Sequence, residues 1–162
     1  DDVWLTGKLG VAHWDGSRWR RVVGIHGAVR QVFGAGMVQR GKGSIINIAS
    51  MSGVIVNRDL KQVHYNASKA GAAMLTRSIH KEYGDKGVRA IGLSPGTVAT
   101  QMQKEIKASG INPVSQLDWS VHIPADWPAR ALLWMCGPEA DAFLGGEISL
   151  REDDIRRRVG LI

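Results

Sequence analysis

Residues 44–50 read "SIINIAS", a short apolar run held between "GKG" (41–43) and "MSG" (51–53). Its length and isoleucine content suit a strand, and its lack of alternation suits one buried on both faces, as in a parallel sheet. "VRAIGL" (88–93) repeats the pattern and stops at "SPG" (94–96). "EISL" (147–150) is a third candidate strand and "DVWL" (2–5) a fourth. Helices are predicted between them. One spans 27–40 and leads into the first run. A second spans 65–83 and ends before Gly84, a natural C-cap. A third spans 126–136, with Asp126 as N-cap and Pro128 in its first turn. Strands alternating with helices predict an α/β fold with right-handed crossovers. The 162 residues are expected to form a single domain. Residues 101–123 lack a clean period and read as a long loop, functional or mobile.

Composition is ordinary for a globular chain, with 44% hydrophobic and 22% charged residues. No apolar run approaches the roughly 18 residues of a membrane span, so no membrane partner is expected. The opening "DDVWLTGKLG" starts with two acids, unlike a secretory signal. A lone cysteine, Cys136, allows no internal disulfide and fits a reducing cytoplasm. Net charge is +6 and the pI about 9.8. The charge falls in two clusters, Arg18/Arg20/Arg21 and Arg156/Arg157/Arg158, with no basic groove interleaved with aromatics and no zinc-finger spacing. It therefore reads as solvated surface, or as attraction for an anionic cofactor, in preference to nucleic-acid binding. No metal site is expected.

In an open parallel sheet, ligands bind beyond the carboxyl ends of the strands. Ser50 stands at that end of the first isoleucine strand, and "SPG" at that end of the next. The helix starting at Tyr65 follows the first of these ends. "HYNASKAG" (64–71) sets Tyr65 and Lys69 four apart on that helix, hence as neighbours. A free phenol is a poor base near neutrality, and a fixed ammonium beside it favours the phenolate. Such a phenol can give a proton to a carbonyl oxygen or take one from an alcohol. The Ser50 hydroxyl is able to hold the same oxygen. Ala67, Ala70, Gly71 and Ala72 allow close approach of a neighbour or a flat cofactor. Each feature alone has a plainer explanation: a surface pair, a strand-end cap, a turn.

Together, "GSIINIASMSG", "YNASK" and "LSPGTVATQM" resemble the short-chain dehydrogenases/reductases of the Tyr-x-x-x-Lys type. The likeness runs from about Trp19 to Leu150. It implies a doubly wound, Rossmann-like parallel sheet and hydride transfer between a secondary alcohol or ketone and NAD or NADP. Carried over, Tyr65 is the acid/base. Lys69 binds the nicotinamide ribose and eases deprotonation of Tyr65. Ser50 orients the substrate oxygen, with Ser52 as its rival. Pro95, Gly96, Val98 and Thr100 match the segment that contacts the nicotinamide end, so the cofactor set is Tyr65, Lys69 and those four. The resemblance further implies a homo-oligomer, dimer or tetramer, paired through the helices at 27–40 and 65–83. It makes 101–123 a substrate lid.

The pattern also departs from the family. The Thr-Gly-x-x-x-Gly-x-Gly segment that cradles a pyrophosphate is missing, and "LTGKLG" (5–10) lacks its spacing. "DDVWLTGKLG" instead resembles a degraded later strand and its Asn-Asn-Ala-Gly turn. The sheet is therefore expected to be incomplete on its N-terminal side. A shortened homologue or a piece of a longer chain accounts for this, and the second is expected, because deleted strands leave unpaired edges. His26 stands where the family has a relay Asn, and either a proton relay or a buried histidine with a backbone partner suits it. "REDDIRRRVGLI" replaces the usual Asp-Gly-Gly, and reads as a charged solvated helix or a subunit contact. "SMSGVIVN" looks most like members acting on sugars, polyols or small hydroxyketones. A non-catalytic binding or scaffold homologue is the alternative to a working oxidoreductase.

Overall fold

The computed structural model describes the backbone of residues 3–7, 10–14 and 19–22, and all of residues 36–51 and 63–162. Six strands of the described residues form one sheet: β1 Val3–Gly7, β2 Gly10–Trp14, β3 Trp19–Val22, β4 Gly43–Ile48, β5 Val88–Ser94 and β6 Glu147–Ser149. Their order is β3-β2-β1-β4-β5-β6. β1, β4, β5 and β6 run parallel, with Ile45 beside Ala90 and Leu93 beside Ile148. Four helices follow: α1 Val63–Tyr83, α2 Gln101–Ser109, α3 Asp126–Met135 and α4 Asp153–Val159. Residues 36–40 are helical too, the end of the helix expected at 27–40. Its earlier residues, His26 and Ser52 lie outside the described residues.

The apolar runs form strands because both faces of β4 and β5 are covered. On one face Ile46, Ile91, Leu93 and Ile148 pack with Ala131 and Met135 of α3. On the other, Ile45, Val88 and Ala90 pack with Met37 and with Ile79 of α1. Covered on both sides, this is the doubly wound α/β arrangement expected from the sequence.

The expectation of parallel strands alone is corrected on one side. β2 and β3 are antiparallel to their neighbours. Two residues join β1 to β2, and so short a link reaches only an antiparallel neighbour. The sequence between β2 and β3, "DGSR" (15–18), contains Asp-Gly, a dipeptide that favours so short a link.

Three further expectations shift. α1 ends at Tyr83, but Gly84–Lys86 tighten into a 3-10 turn and the left-handed residue is Gly87, φ 81°. That conformation is glycine's. Asp126 is not the N-cap of α3; Ala125 holds that place without a side-chain bond. Asp126 lies in the first turn, where its charge suits the helix N-terminus. Residues 101–123 are not one loop. They hold α2 and two 3-10 turns, Pro113–Gln116 and Trp119–Val121. Within α2 only Gln103 is buried, so no apolar stripe betrays the helix. The tail forms a charged helix, as read: Arg156 bonds Asp153 and Arg158 bonds Asp154.

A buried polar link joins α1 to the sheet. Asn47 Nδ2 of β4 donates to Thr76 Oγ1 at 2.8 Å, and that hydroxyl donates to Ala72 O at 3.0 Å. Thr76→Val keeps the shape and removes the acceptor. It should cost about 1–2 kcal/mol, read as a lower urea midpoint at unchanged slope. An unmoved midpoint would show that the bond contributes nothing net.

Candidate active site

Backbone and side chain fasten the carboxyl ends of β4 and β5 together. Ala49 N donates to Leu93 O at 2.8 Å, and Met51 N donates to the buried Ser94 Oγ at 3.1 Å. Ser50, half-buried, lies between these two ties. α1 brings its first turns to the same end. Lys69 Nζ donates to Ile48 O at 2.7 Å and lies 5.7 Å from the centre of the Tyr65 ring. Tyr65 is 38% exposed, so its ring is within reach of a ligand at this rim. Ser68 Oγ donates to Tyr65 O at 2.7 Å and reinforces that turn.

Two charges in this layer are perturbed. Burial pushes the Lys69 ammonium below its ordinary range, and the Glu147 carboxylate opposes the shift. Burial pushes the Glu147 carboxyl up, opposed by the Arg77 and Lys69 cations. No local motif marks Glu147 in the sequence. The small residue opposite it, Gly92, is the one signal there that a side chain crosses at this point.

The chain after β5 forms the other wall. Gly96 takes φ 76°. Val98 pairs with Ile123 in a parallel bridge, Ile123 N donates to Thr97 O at 3.0 Å, and Ala99 N donates to Ile123 O at 2.9 Å. The excursion through α2 thus returns to its own starting point. Thr100 occupies the N-cap position of α2 without capping it, and its Oγ1 is buried with no hydrogen-bond partner.

Ser50, Tyr65, Lys69, Pro95, Gly96, Val98 and Thr100 therefore belong to one end of the sheet. The cation is beside the phenol ring, and a serine hydroxyl stands at the neighbouring strand end. This set can hold an alcohol or carbonyl oxygen and exchange a proton with it. Lys69 and the unsatisfied Thr100 hydroxyl suit a group rich in hydroxyl and amide functions, as a nicotinamide riboside is. Among the described residues, no three His, Cys, Asp or Glu side chains gather as a metal site would require, and no helix is long and apolar enough to cross a membrane.

The short chain dehydrogenase family model matches residues 8–110. The chain is similar to a galactitol 2-dehydrogenase (L-tagatose-forming) of Cereibacter sphaeroides, 42% identical over 57% of this chain and 38% of the relative. It is similar to a D-arabinitol 2-dehydrogenase (ribulose-forming) of Scheffersomyces stipitis, 39% identical over 73% of this chain and 44% of the relative. A solved 7 alpha-hydroxysteroid dehydrogenase, complexed with NADH and 7-oxo glycochenodeoxycholic acid, superposes with a TM-score of 0.58 at 26% identity, over 75% of this chain and 48% of that one. The chain spans less than half the length of each. With the family model matched over residues 8–110, the chain belongs to the short chain dehydrogenase family.

Proposed function

We propose that this chain carries the catalytic end of an oxidoreductase that interconverts a secondary alcohol and a ketone with NAD or NADP. The observation that carries the reading is the Lys69 ammonium lying against the Tyr65 ring at the mouth of β4 and β5. A bound nicotinamide would supply the hydride acceptor for the alcohol carbon. Tyr65 takes the hydroxyl proton, and Ser50 holds the same oxygen in place. Lys69 puts positive charge beside the phenol and offers donors to ribose hydroxyls. Thr100, with Pro95, Gly96 and Val98 before it, faces the carboxamide end of the ring. Galactitol and arabinitol, named for the two relatives, make a linear polyol the first substrate to try.

The helical excursion from Gln101 to Ile123 acts as the substrate lid, its base fixed by the Val98–Ile123 bridge. α1 also presents Val63, Met74 and Leu75 to solvent. With the exposed small residues Ala67, Ala70 and Gly71 between them, that face suits pairing with a second copy of the chain.

Titrating the intact polypeptide with NADH and with NADPH, while following nicotinamide fluorescence, tests the reading. Saturable enhancement with either one supports it. Lys69→Ala should then weaken binding by about tenfold or more, the scale of a lost charge-assisted hydrogen bond. Equal affinity in the variant would remove Lys69 from the cofactor site. A binding or scaffold homologue is the second reading. It is favoured by the antiparallel β2 along the edge of β1. Silence with both cofactors would support it.

A further inference from the structure

Side chains paired laterally across a sheet point to the same face. Asn47 of β4 pairs with Gly92 of β5, and Gly92 pairs with Glu147 of β6. Asn47 bonds Thr76, so this row faces α1. Gly92 has no side chain, and a Cβ there would lie 3.3 Å from Glu147 Cγ and 3.4 Å from its Cβ. The Glu147 chain thus lies over the bare Gly92 backbone, under the helix that carries Tyr65 and Lys69. Its Oε1 is buried and has no hydrogen-bond partner. Lys69 gives its bond to Ile48 O, so the two charges meet through space.

We propose that Glu147 is a positioning residue for Lys69, its carboxylate acting from beneath α1 to keep that ammonium charged at the mouth of the sheet. The proposal rests on the role given to Lys69 above. Half-buried charges favour a nearby counter-charge, because their surroundings screen them less than bulk water does. The shifts agree: the carboxylate raises the proton affinity of Lys69, and Lys69 stabilises the carboxylate in return. Other groups around Glu147 do not replace it. Arg77 of α1 adds a second cation. His80 of α1 packs against Gly145, just before β6. Arg89, on the opposite face of β5, bonds Asp141 and the Gly137 carbonyl. Asn47 and Gly92 carry no charge.

The test is the titration of Lys69 in the intact polypeptide, followed by NMR of 13C-labelled lysine side chains and assigned with Lys69→Arg. In Glu147→Gln the midpoint should fall to lower pH, while Glu147→Asp should stay nearer the wild type. Identical midpoints in wild type and Glu147→Gln would overturn the proposal. Gln should fold, since burial already disfavours the carboxylate it replaces. A carboxyl raised by burial binds its proton more tightly folded than unfolded, so its contribution to stability declines as pH rises through the folded value. Where the protein oxidises a polyol, the alkaline limb of kcat/KM should also retreat to lower pH in Glu147→Gln. An inactive wild type would count against the proposed function alone. The NMR midpoints would still decide the role of Glu147.

Discussion

Tyr65→Phe should lower kcat for polyol oxidation by about 10²- to 10⁴-fold, the usual share of a positioned acid/base, with a far smaller change in KM for the cofactor. The phenyl ring fills the same space. The hydrogen bond from Ser68 Oγ goes to the backbone carbonyl of Tyr65 and survives the change. Tyr65 is part-exposed at the helix start, so folding should be unaffected. Circular dichroism and the thermal midpoint provide that control. Retained turnover in a well-folded Tyr65→Phe protein would end the catalytic assignment, whatever the cofactor titration shows. Ser50→Ala would then be the next variant to examine.

The largest stability effect is expected at Gly87. A Cβ there would drive into the backbone carbonyl of Gly41, which cannot swing aside as a side chain would, and φ is 81°. Gly41→Ala supplies the comparison, because φ is 65° there and nothing lies within 4 Å of its Cβ position. Left-handed strain alone accounts for about 1–2 kcal/mol in that variant. Gly87→Ala adds overpacking that no rotamer can relieve, for about 3 kcal/mol or more in all. That is a thermal midpoint lower by roughly 10 °C for a chain of this size. These glycines sit where the chain turns into β4 and β5, which start with Gly43 beside Val88. A shift there pulls on the register of both central strands. Equal losses in the two variants would mean that the close approach relaxes without cost.

The sequence makes the central strands and α1 legible because their burial is complete enough to write itself as composition. Ile45 and Ile46 face opposite sides of one strand, and each meets a helix. α2 stays hidden for the opposite reason, since it buries a glutamine and exposes Met102. The end of α1 before Gly84 is legible, but both Gly84 and Gly87 fit a left-handed cap by type, and only the 3-10 turn between them shows that Gly87 takes it. The pairing of β2 with β3 is not legible, because "GVAHW" and "WRRV" are short and lack the isoleucine-rich composition of β4. At the rim, Tyr65 and Lys69 are visible from spacing alone, as one helical turn needs no tertiary information. Glu147 is visible only from strand register, which brings together residues 47, 92 and 147.

The hydrogen bond between Asn47 and Thr76 has a consequence beyond its own free energy. Thr76 comes eleven residues after Tyr65, about three helical turns and about 16 Å along the axis. Eleven steps of about 100° return to nearly the same azimuth, so fixing the rotation of α1 at Thr76 also fixes the bearing of Tyr65. One polar clasp deep in the molecule thereby aims a ring at its distant, solvent-facing tip. Slippage there by a single residue would swing the phenol about a quarter-turn off its target without breaking anything near it.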